Sequence, residues 1–331
     1  MVRNPSWRGQ LGLALDGPAR PGRAGLVLLG NWRGWLCAAA LAAALAPPAH
    51  AGITRYCDKP GALNAAQHDK MFRFGAVIKD ELEKSGARVA LIARSGTDLS
   101  RFGVRYSHAG FSLKASPDTP WAVRQLYYAC EENKPLIFDQ GMAAFLLGTN
   151  EPDLGYVSVL LLPQAPADQL EHAALDNATA LQLLGGTYSA NSYPFSDRYQ
   201  NCNQWVAEIL ASAWGTLPGA GAGSARQQAQ AWLRAEGYVP QVMDVGWRPL
   251  MWLGSLIPWV NSDDHPDEDT AQALYRVSMP ASLERFVQAR HPGTTRLEIC
   301  HNERHVVVRR GWVPVAEGCE PGPDDTVIPY D

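Results

Sequence analysis

The chain has 331 residues, of which 46% are hydrophobic and 19% charged, a balance typical of a globular protein with one large domain or two modest ones. Its formal net charge is −4 at pH 7, and no cluster of lysine and arginine stands out along the sequence. These two observations exclude a nucleic-acid-binding surface and argue against a polyanionic partner.

Residues 1–51 have the pattern of a secretory signal peptide. The apolar run Leu36–Ala46 follows five arginines and precedes small residues that end at Ala51. A transmembrane helix needs roughly 20 apolar residues, about twice the length of this run. We therefore expect cleavage after Ala51 and export to the periplasm. The long segment before the apolar run leaves open a translation start near Val27.

The odd number of cysteines in the exported chain predicts one unpaired thiol, because the periplasm is oxidising. Cys300 and Cys319 flank a predicted C-terminal hairpin, and Cys57 and Cys130 each border an element of the N-terminal half. If these four form two disulfides, Cys202 is the free thiol. The alternative is that Cys202 is paired and that another cysteine is buried and inert.

The N-terminal half predicts one amphipathic helix followed by a series of strands. Apolar residues recur at helical spacing over 64–85, and Gly86 follows as a stop signal. The expected strands, rich in Val, Leu, Ile and aromatic residues, are 88–94, 104–113, 121–129 and 156–163. A second helix is expected over 168–184. The strands are the expected centre of the fold.

A helix that begins at Cys202 follows a polar loop, with Asn201 as its expected N-cap and an apolar stripe behind it. A flexible glycine-rich linker is expected over 215–225. The remaining expected elements are a helix at 225–236, a Trp-rich apolar stretch at 245–260, an acidic loop at 261–269, a helix at 281–289 and a hairpin within 297–319.

Cys202 and His108 carry the candidate chemistry. Unpaired N–H groups at the start of a helix favour a thiolate, so Cys202 is a candidate nucleophile. His108 is expected in the middle of its strand, on one face with the small Gly110, which would give the Cys202 helix room to approach the ring. His108 would then serve as base for the thiol and afterwards as acid for the leaving group.

Further polar residues would support this pair. If 114–120 is a hairpin turn, the residue opposite His108 lies between Gln125 and Tyr127, and Gln125 can accept a hydrogen bond from the ring. The backbone N–H of Cys202 would stabilise an oxyanion. Additional oxyanion or substrate-side donors are expected from Tyr106, Gln200 or Asn201.

The motifs "YSHAGF" and "NCNQWVAEIL" resemble the circularly permuted branch of the NlpC-type papain-like cysteine hydrolases, in which the histidine strand precedes the cysteine helix. That superfamily includes lecithin retinol acyltransferase-like enzymes. More closely, "VALIARSGTDLSRFGVRYSHAGF", "YQNCNQWV", "YRVSMPASLERF" and "VVVRRGWVPVAEGC" are similar to a bacterial family of exported proteins, domain of unknown function 2145, over essentially the whole mature chain.

The resemblance implies an α+β fold with a permuted papain-like core of antiparallel strands packed on the cysteine-bearing helix. The implied organisation is a signal peptide at 1–51, a catalytic core at 52–215 and a C-terminal extension at 216–331 that packs on the core. His108 and Cys202 match the catalytic pair of the superfamily. The third position departs from the pattern, since Gln125 stands where a histidine would match better.

Three functions remain open at this point. The first is an exported cysteine hydrolase that cleaves an amide bond, with cell-wall peptides as the candidate substrate. The second is a lipid acyltransferase or esterase, in which the Trp-rich stretch, including Trp247, Trp252 and Trp259, would line an acyl pocket or touch a membrane. The competing interpretation of that stretch is simple core packing. The third is a non-catalytic envelope binding protein.

No metal and no cofactor is expected. His301 and His305 are four residues apart, but the flanking sequence predicts a strand, on which they would lie about 13 Å apart and could not share an ion.

Overall fold

The computed structural model of the chain describes residues 63–130, 132, 134–149, 151–217, 221 and 223–330. These residues belong to one compact unit. The predicted signal peptide, its cleavage site and Cys57 lie outside the described residues.

Ten strands occur in the described residues: β1 Val89–Arg94, β2 His108–Leu113, β3 Ala122–Ala129, β4 Lys134–Gln140, β5 Gly155–Leu161, β6 Gln241–Asp244, β7 Leu274–Val277, β8 Thr295–His301, β9 His305–Arg310 and β10 Thr326–Pro329. Eight of them form a central antiparallel sheet in the order β10-β9-β8-β5-β1-β2-β3-β4, and β6 and β7 form a separate two-stranded antiparallel sheet. The predicted α+β class is therefore confirmed. The C-terminal strands β8 to β10 continue the sheet that the N-terminal strands begin.

Nine α-helices accompany the sheet in the described residues. They are α1 Ala65–Lys84, α2 Met142–Leu146, α3 Gln164–Leu175, α4 Asn177–Gln182, α5 Cys202–Trp214, α6 Ala225–Ala235, α7 Arg248–Gly254, α8 Asp267–Ala271 and α9 Pro280–Arg290. Apolar residues of α3, α5, α6 and α9 pack in one core on one face of the sheet, and those of α1 and α2 pack in a second core on the other face. The sheet is thus the middle of three layers.

Local sequence signals account for several of these elements. Asn64 caps α1 through a capping box with Gln67, and Ser224 caps α6 in the same way with Gln227. β5 is buried along nearly all its length, as its apolar run predicts. Such local interactions need no tertiary information, which is why the sequence alone locates these elements.

Two elements differ from the sequence-based expectation. The helix predicted over 168–184 is divided into α3 and α4, because the Asp176 side chain accepts from the N–H groups of Ala178 and Thr179 and starts a new helix. The strand predicted over 104–113 begins only at His108. His108 therefore lies at the N-terminal end of its strand, an interior strand of the sheet, and not in the middle as expected.

The third apolar cluster lies outside the sheet. It joins β6 and β7 with Met251 of α7 and Val104. None of the described helices is both long enough and apolar enough to cross a membrane.

Candidate active site

Cys202 is the first residue of α5 and is 4% exposed. The Asn201 side chain accepts from the Gln204 N–H at 2.7 Å and donates to the Ala190 carbonyl at 3.1 Å, so it caps the helix and ties it to the preceding loop. The thiol forms hydrogen bonds with the backbone N–H groups of Asn203, of Cys202 itself and of Ala109. The predicted helix start and its cap are confirmed.

His108 is hydrogen-bonded to Gln125, the residue predicted to orient it. The ring Nε2 bonds Gln125 Oε1, and Gln125 Nε2 donates to Gln140 Oε1 at 2.5 Å. Because Oε1 can only accept, His108 Nε2 carries the proton and Nδ1 is the nitrogen left to act as a base. The tilted ring of Phe145 lies with its centroid 6.0 Å from the imidazole centroid.

The expectation that Gly110 makes room for the Cys202 helix is wrong. A Cβ at Gly110 would lie 2.7 Å from the Arg124 carbonyl oxygen, so the close neighbour is strand β3. Ala109 and Phe111 belong to the core that contains α5, and strand alternation places His108 and Gly110 on the other face. His108 and Cys202, each the first residue of its element, nevertheless line the same cavity.

One cavity of about 410 Å³ joins the candidate residues, since Cys202 and His108 both line it. No hydrogen bond joins the two side chains among the described contacts. The strand of His108 is linked to Cys202 through the backbone N–H of Ala109, the residue after His108, which forms a hydrogen bond with the Cys202 thiol. Asn203 adds a second link by donating to the Ser107 carbonyl at 3.1 Å.

Burial keeps both groups neutral in this structure. It raises the pKa of the Cys202 thiol to about 11, against the lowering effects of the three N–H groups and of Arg94. Burial and the Arg94 charge lower the pKa of His108 to about 3, although the bond to Gln125 acts in the opposite direction. The thiolate expected from the helix N-terminus is therefore not favoured, because loss of water outweighs the N–H groups.

Arg94 is a site residue that the sequence-based reasoning missed. It pairs with His108 in the β1–β2 register, lines the cavity and is 6% exposed. Its guanidinium donates to the carbonyls of Ser95 and Gly148 and lies over the ring of Phe145. The signal that could have identified Arg94 is an arginine at the end of an otherwise apolar strand. A strand of this kind is expected to be buried, and arginine is rarely buried without a partner.

The three additional donors predicted from the sequence have other roles. Tyr106 bonds Glu298 and accepts from Arg296 at 3.2 Å, away from the cavity. Gln200 does not line the cavity either. Asn201 does, but both of its polar side-chain atoms serve the helix cap and the Ala190 carbonyl. The backbone N–H groups at the start of α5 remain the available oxyanion donors.

A buried ionic network holds α5 and the loop before it. Glu208, fully buried, pairs with Arg226 of α6 at 2.9 Å and also accepts from the Gln200 side chain at 2.6 Å. Arg226 donates in turn to the carbonyls of Asp197 at 2.7 Å and Tyr199 at 2.9 Å. The network therefore fixes the chain that leads into Cys202.

The cysteine chemistry agrees with the sequence-based expectation where it is described. Cys300 and Cys319 form a disulfide, as predicted. Cys130 is disulfide-bonded, while Cys57, its expected partner, lies outside the described residues. Cys202 is the free cysteine of the described chain.

The Trp-rich stretch forms α7 and borders the cavity. Met251 is buried, and it lines the cavity together with Leu250 and Ile257. Trp252 and Leu256 point outward and are 68% and 70% exposed. The stretch is therefore neither wholly core nor wholly surface, since it presents apolar side chains both to the cavity and to solvent.

In the part of the chain that the structure describes, no group of three or more His, Cys, Asp or Glu side chains is placed to hold a metal ion.

Gln125 should control the protonation of His108. In Gln125→Glu the new carboxylate would stabilise the imidazolium, so we expect the pKa of His108 to rise by about 1–3 pH units in an NMR titration. Gln125→Leu should leave the pKa low and abolish the fixed ring tautomer in the ¹⁵N spectrum. Tyr127→Phe is the matched control, because that ring packs edge-on to His108 without a hydrogen bond to it. An unchanged His108 titration in Gln125→Glu would contradict this role.

Comparison with known proteins identifies a family but no characterised relative. No curated protein and no solved structure matches the chain. A family model described as an uncharacterised protein conserved in bacteria (DUF2145) matches residues 81–287, a span that includes Arg94, His108, Gln125, Cys202 and α7. The chain therefore belongs to the DUF2145 family of bacterial proteins.

Proposed function

We propose that this protein is an exported cysteine hydrolase that acts by acyl transfer on an amide or ester bond. The observation that carries the proposal is a single cavity lined by both a free cysteine at a helix N-terminus and a histidine bonded to Gln125. A nucleophile, a base with an orienting partner and backbone N–H groups beside the nucleophile are the parts that acyl transfer requires.

The proposed reaction has two steps. Cys202 Sγ attacks the carbonyl carbon of the substrate, its proton passes to His108 Nδ1, and that proton then goes to the departing amine or alcohol as the carbon–heteroatom bond breaks. Water next attacks the thioester and gives a carboxylic acid and the free thiol. Since no hydrogen bond joins Cys202 to His108 here, the first step requires the ring and the thiol to approach each other when substrate binds.

The finer fold assignment belongs to this proposal. A permuted papain-like core, with the histidine strand before the cysteine helix, is supported by the chain order of β2 and α5 and by the antiparallel sheet beside α5. Export is supported by the signal-like residues 1–51 and by the Cys300–Cys319 disulfide, a bond typical of oxidising compartments.

The proposal is tested by trapping the acyl-enzyme with an activated ester. Incubation with p-nitrophenyl acetate should add one acetyl group to Cys202, located by peptide mass spectrometry, and none at this position in Cys202→Ala. We expect His108→Ala to slow this acylation by about 10²–10⁴-fold, because the general base is lost. His172→Ala, on the exposed side of α3, is the matched control and should react like the wild type.

A non-catalytic binding protein is the second candidate, favoured by the raised pKa of Cys202 and the lowered pKa of His108. Equal acylation rates in the wild type and His108→Ala, or none in either, would reject the hydrolase and leave the binding function.

A further inference from the structure

The composition of the cavity indicates what kind of acyl group Cys202 would receive. Its walls come from the ends of β1 and β3, the segment between β1 and β2, the loop that leads into α5 with the start of that helix, β6 and β7 with their flanks, and α7 with the residues that follow it. The apolar wall residues that matter most here are Leu99, Phe102, Met243, Met251, Ile257 and Met279. The volume of about 410 Å³ falls in the range of roughly 300–1,000 Å³ typical of small-molecule sites.

Charge is scarce on the walls of this cavity, where uncharged polar residues such as Thr97, Asn191 and Tyr275 share the lining with the apolar ones. Arg94 is the only charged residue among the described wall residues if His108 is neutral, and it lies beside His108 and Cys202. No carboxylate is found among those described wall residues. A charged peptide would therefore lose the hydration of its charges with Arg94 as the one charged partner among the described wall residues, which costs several kcal/mol per unpaired charge.

A hydrocarbon chain fits this distribution. Its apolar length would lie against the methionine-rich wall, which adapts to irregular contacts, while its carbonyl would lie beside Cys202 and Arg94. From this we infer that the cavity is an acyl-chain pocket and that the substrate carries a medium or long aliphatic acyl group. The inference rests on the proposed function only for the assignment of the carbonyl to Cys202.

Alpha helix α7 offers a direct test because adjacent residues face opposite sides. Met251 lines the pocket, whereas Trp252 lies on the outer surface. Met251→Trp should shorten the pocket and keep it apolar, and Trp252→Glu should leave it unchanged. Ile257→Trp, on the same wall, serves if Met251→Trp does not fold.

The measurement is calorimetric binding of butanoate, octanoate and dodecanoate to the Cys202→Ala protein, which cannot react. We expect affinity to rise about three- to fourfold per methylene until the pocket is full. Met251→Trp should weaken dodecanoate binding at least about tenfold and leave butanoate within about twofold. Trp252→Glu should bind all three like its parent. Affinity independent of chain length, or an equal effect of both substitutions, would overturn the inference.

This design separates the pocket from the chemistry. Chain-length-dependent binding together with absent acylation of Cys202 in the wild type would retain the pocket and reject the hydrolase. Equal acylation of Cys202 by acetyl and dodecanoyl esters, with flat binding, would retain the hydrolase and reject the pocket.

The source of the acyl group is distinguished by two further arms. Wild-type protein is incubated with phosphatidylglycerol vesicles or with an N-dodecanoyl peptide, and released fatty acid is measured by mass spectrometry. Release from the vesicles identifies a lipid ester, and release from the peptide identifies an N-acyl amide. Release from neither, together with flat binding, would overturn the inference.

Discussion

Acidification from pH 7 to pH 4 should cost the protein about 3 kcal/mol of unfolding free energy through His108 alone. Its imidazole has a pKa of about 3 when folded, against an ordinary value of 6.5. Between these values the unfolded chain binds more protons than the folded one. The stabilising contribution is therefore complete above pH 6.5 and is lost as the pH falls towards 3, at about 1.4 kcal/mol per pH unit.

Urea unfolding at several pH values checks this expectation. The free energy of unfolding of His108→Gln should fall less steeply between pH 6.5 and pH 4 than that of the wild type. His301, whose pKa burial lowers to about 4, contributes to the same window and is retained in both proteins. His172→Gln, an exposed histidine, is the control and should keep the wild-type slope. Parallel curves for His108→Gln and wild type would show that the imidazole is not held neutral.

The Cys202 thiol should make the free energy of unfolding fall at alkaline pH, whereas His108 makes it fall at acid pH. Burial raises its pKa to about 11 from an ordinary value of 9.0, so its contribution is complete below pH 9 and is lost as the pH rises towards 11. Cys202→Ala should flatten the stability curve in this window alone, which distinguishes the thiol from the histidines.

Removal of the Arg226 guanidinium group should destabilise the protein by about 3–5 kcal/mol, because Glu208 would remain as a buried carboxylate without its cation. Arg226→Met keeps the length and most of the volume of the side chain. It also removes the donors to the Asp197 and Tyr199 carbonyls, so the chain before Cys202 should lose its position. Urea unfolding measures the first effect, and hydrogen exchange at the start of α5 measures the second.

Two comparisons make this expectation specific. Arg198→Met breaks the exposed ion pair with Asp263 and should cost no more than about 1 kcal/mol. The double variant Arg226→Met with Glu208→Leu removes both charges, so it should be more stable than Arg226→Met alone. A cost for Arg226→Met as small as that for Arg198→Met would show that Glu208 is not held as a buried anion.

Much of the candidate site follows from local sequence. Asn201 is a strong N-cap residue and Cys202 follows it, so the start of α5 is set by the side chain that caps it. The short turn between β2 and β3 makes an antiparallel hairpin, which is why Gln125 could be selected as the neighbour of His108. The hairpin flanked by Cys300 and Cys319 likewise predicted their disulfide.

Other features depend on contacts between distant segments. Strands β4 and β10 form the two opposite edges of the sheet. Neither strand was predicted, since edge strands carry a weak apolar pattern. Arg94 joins the site only because β1 lies beside β2. Neither relation can be read from the order of residues within one element.

By itself the sequence determined which residues begin the Cys202 helix, which strand carries His108 and which cysteines close the C-terminal hairpin, because each depends on neighbours close along the chain. Only the tertiary structure decided that the thiol and imidazole are buried and neutral, and that segments around residues 99–104 and 241–260 enclose an apolar cavity in front of them. Burial and cavity shape are set by packing between segments more than a hundred residues apart, and a pattern of residue types does not specify which distant walls meet.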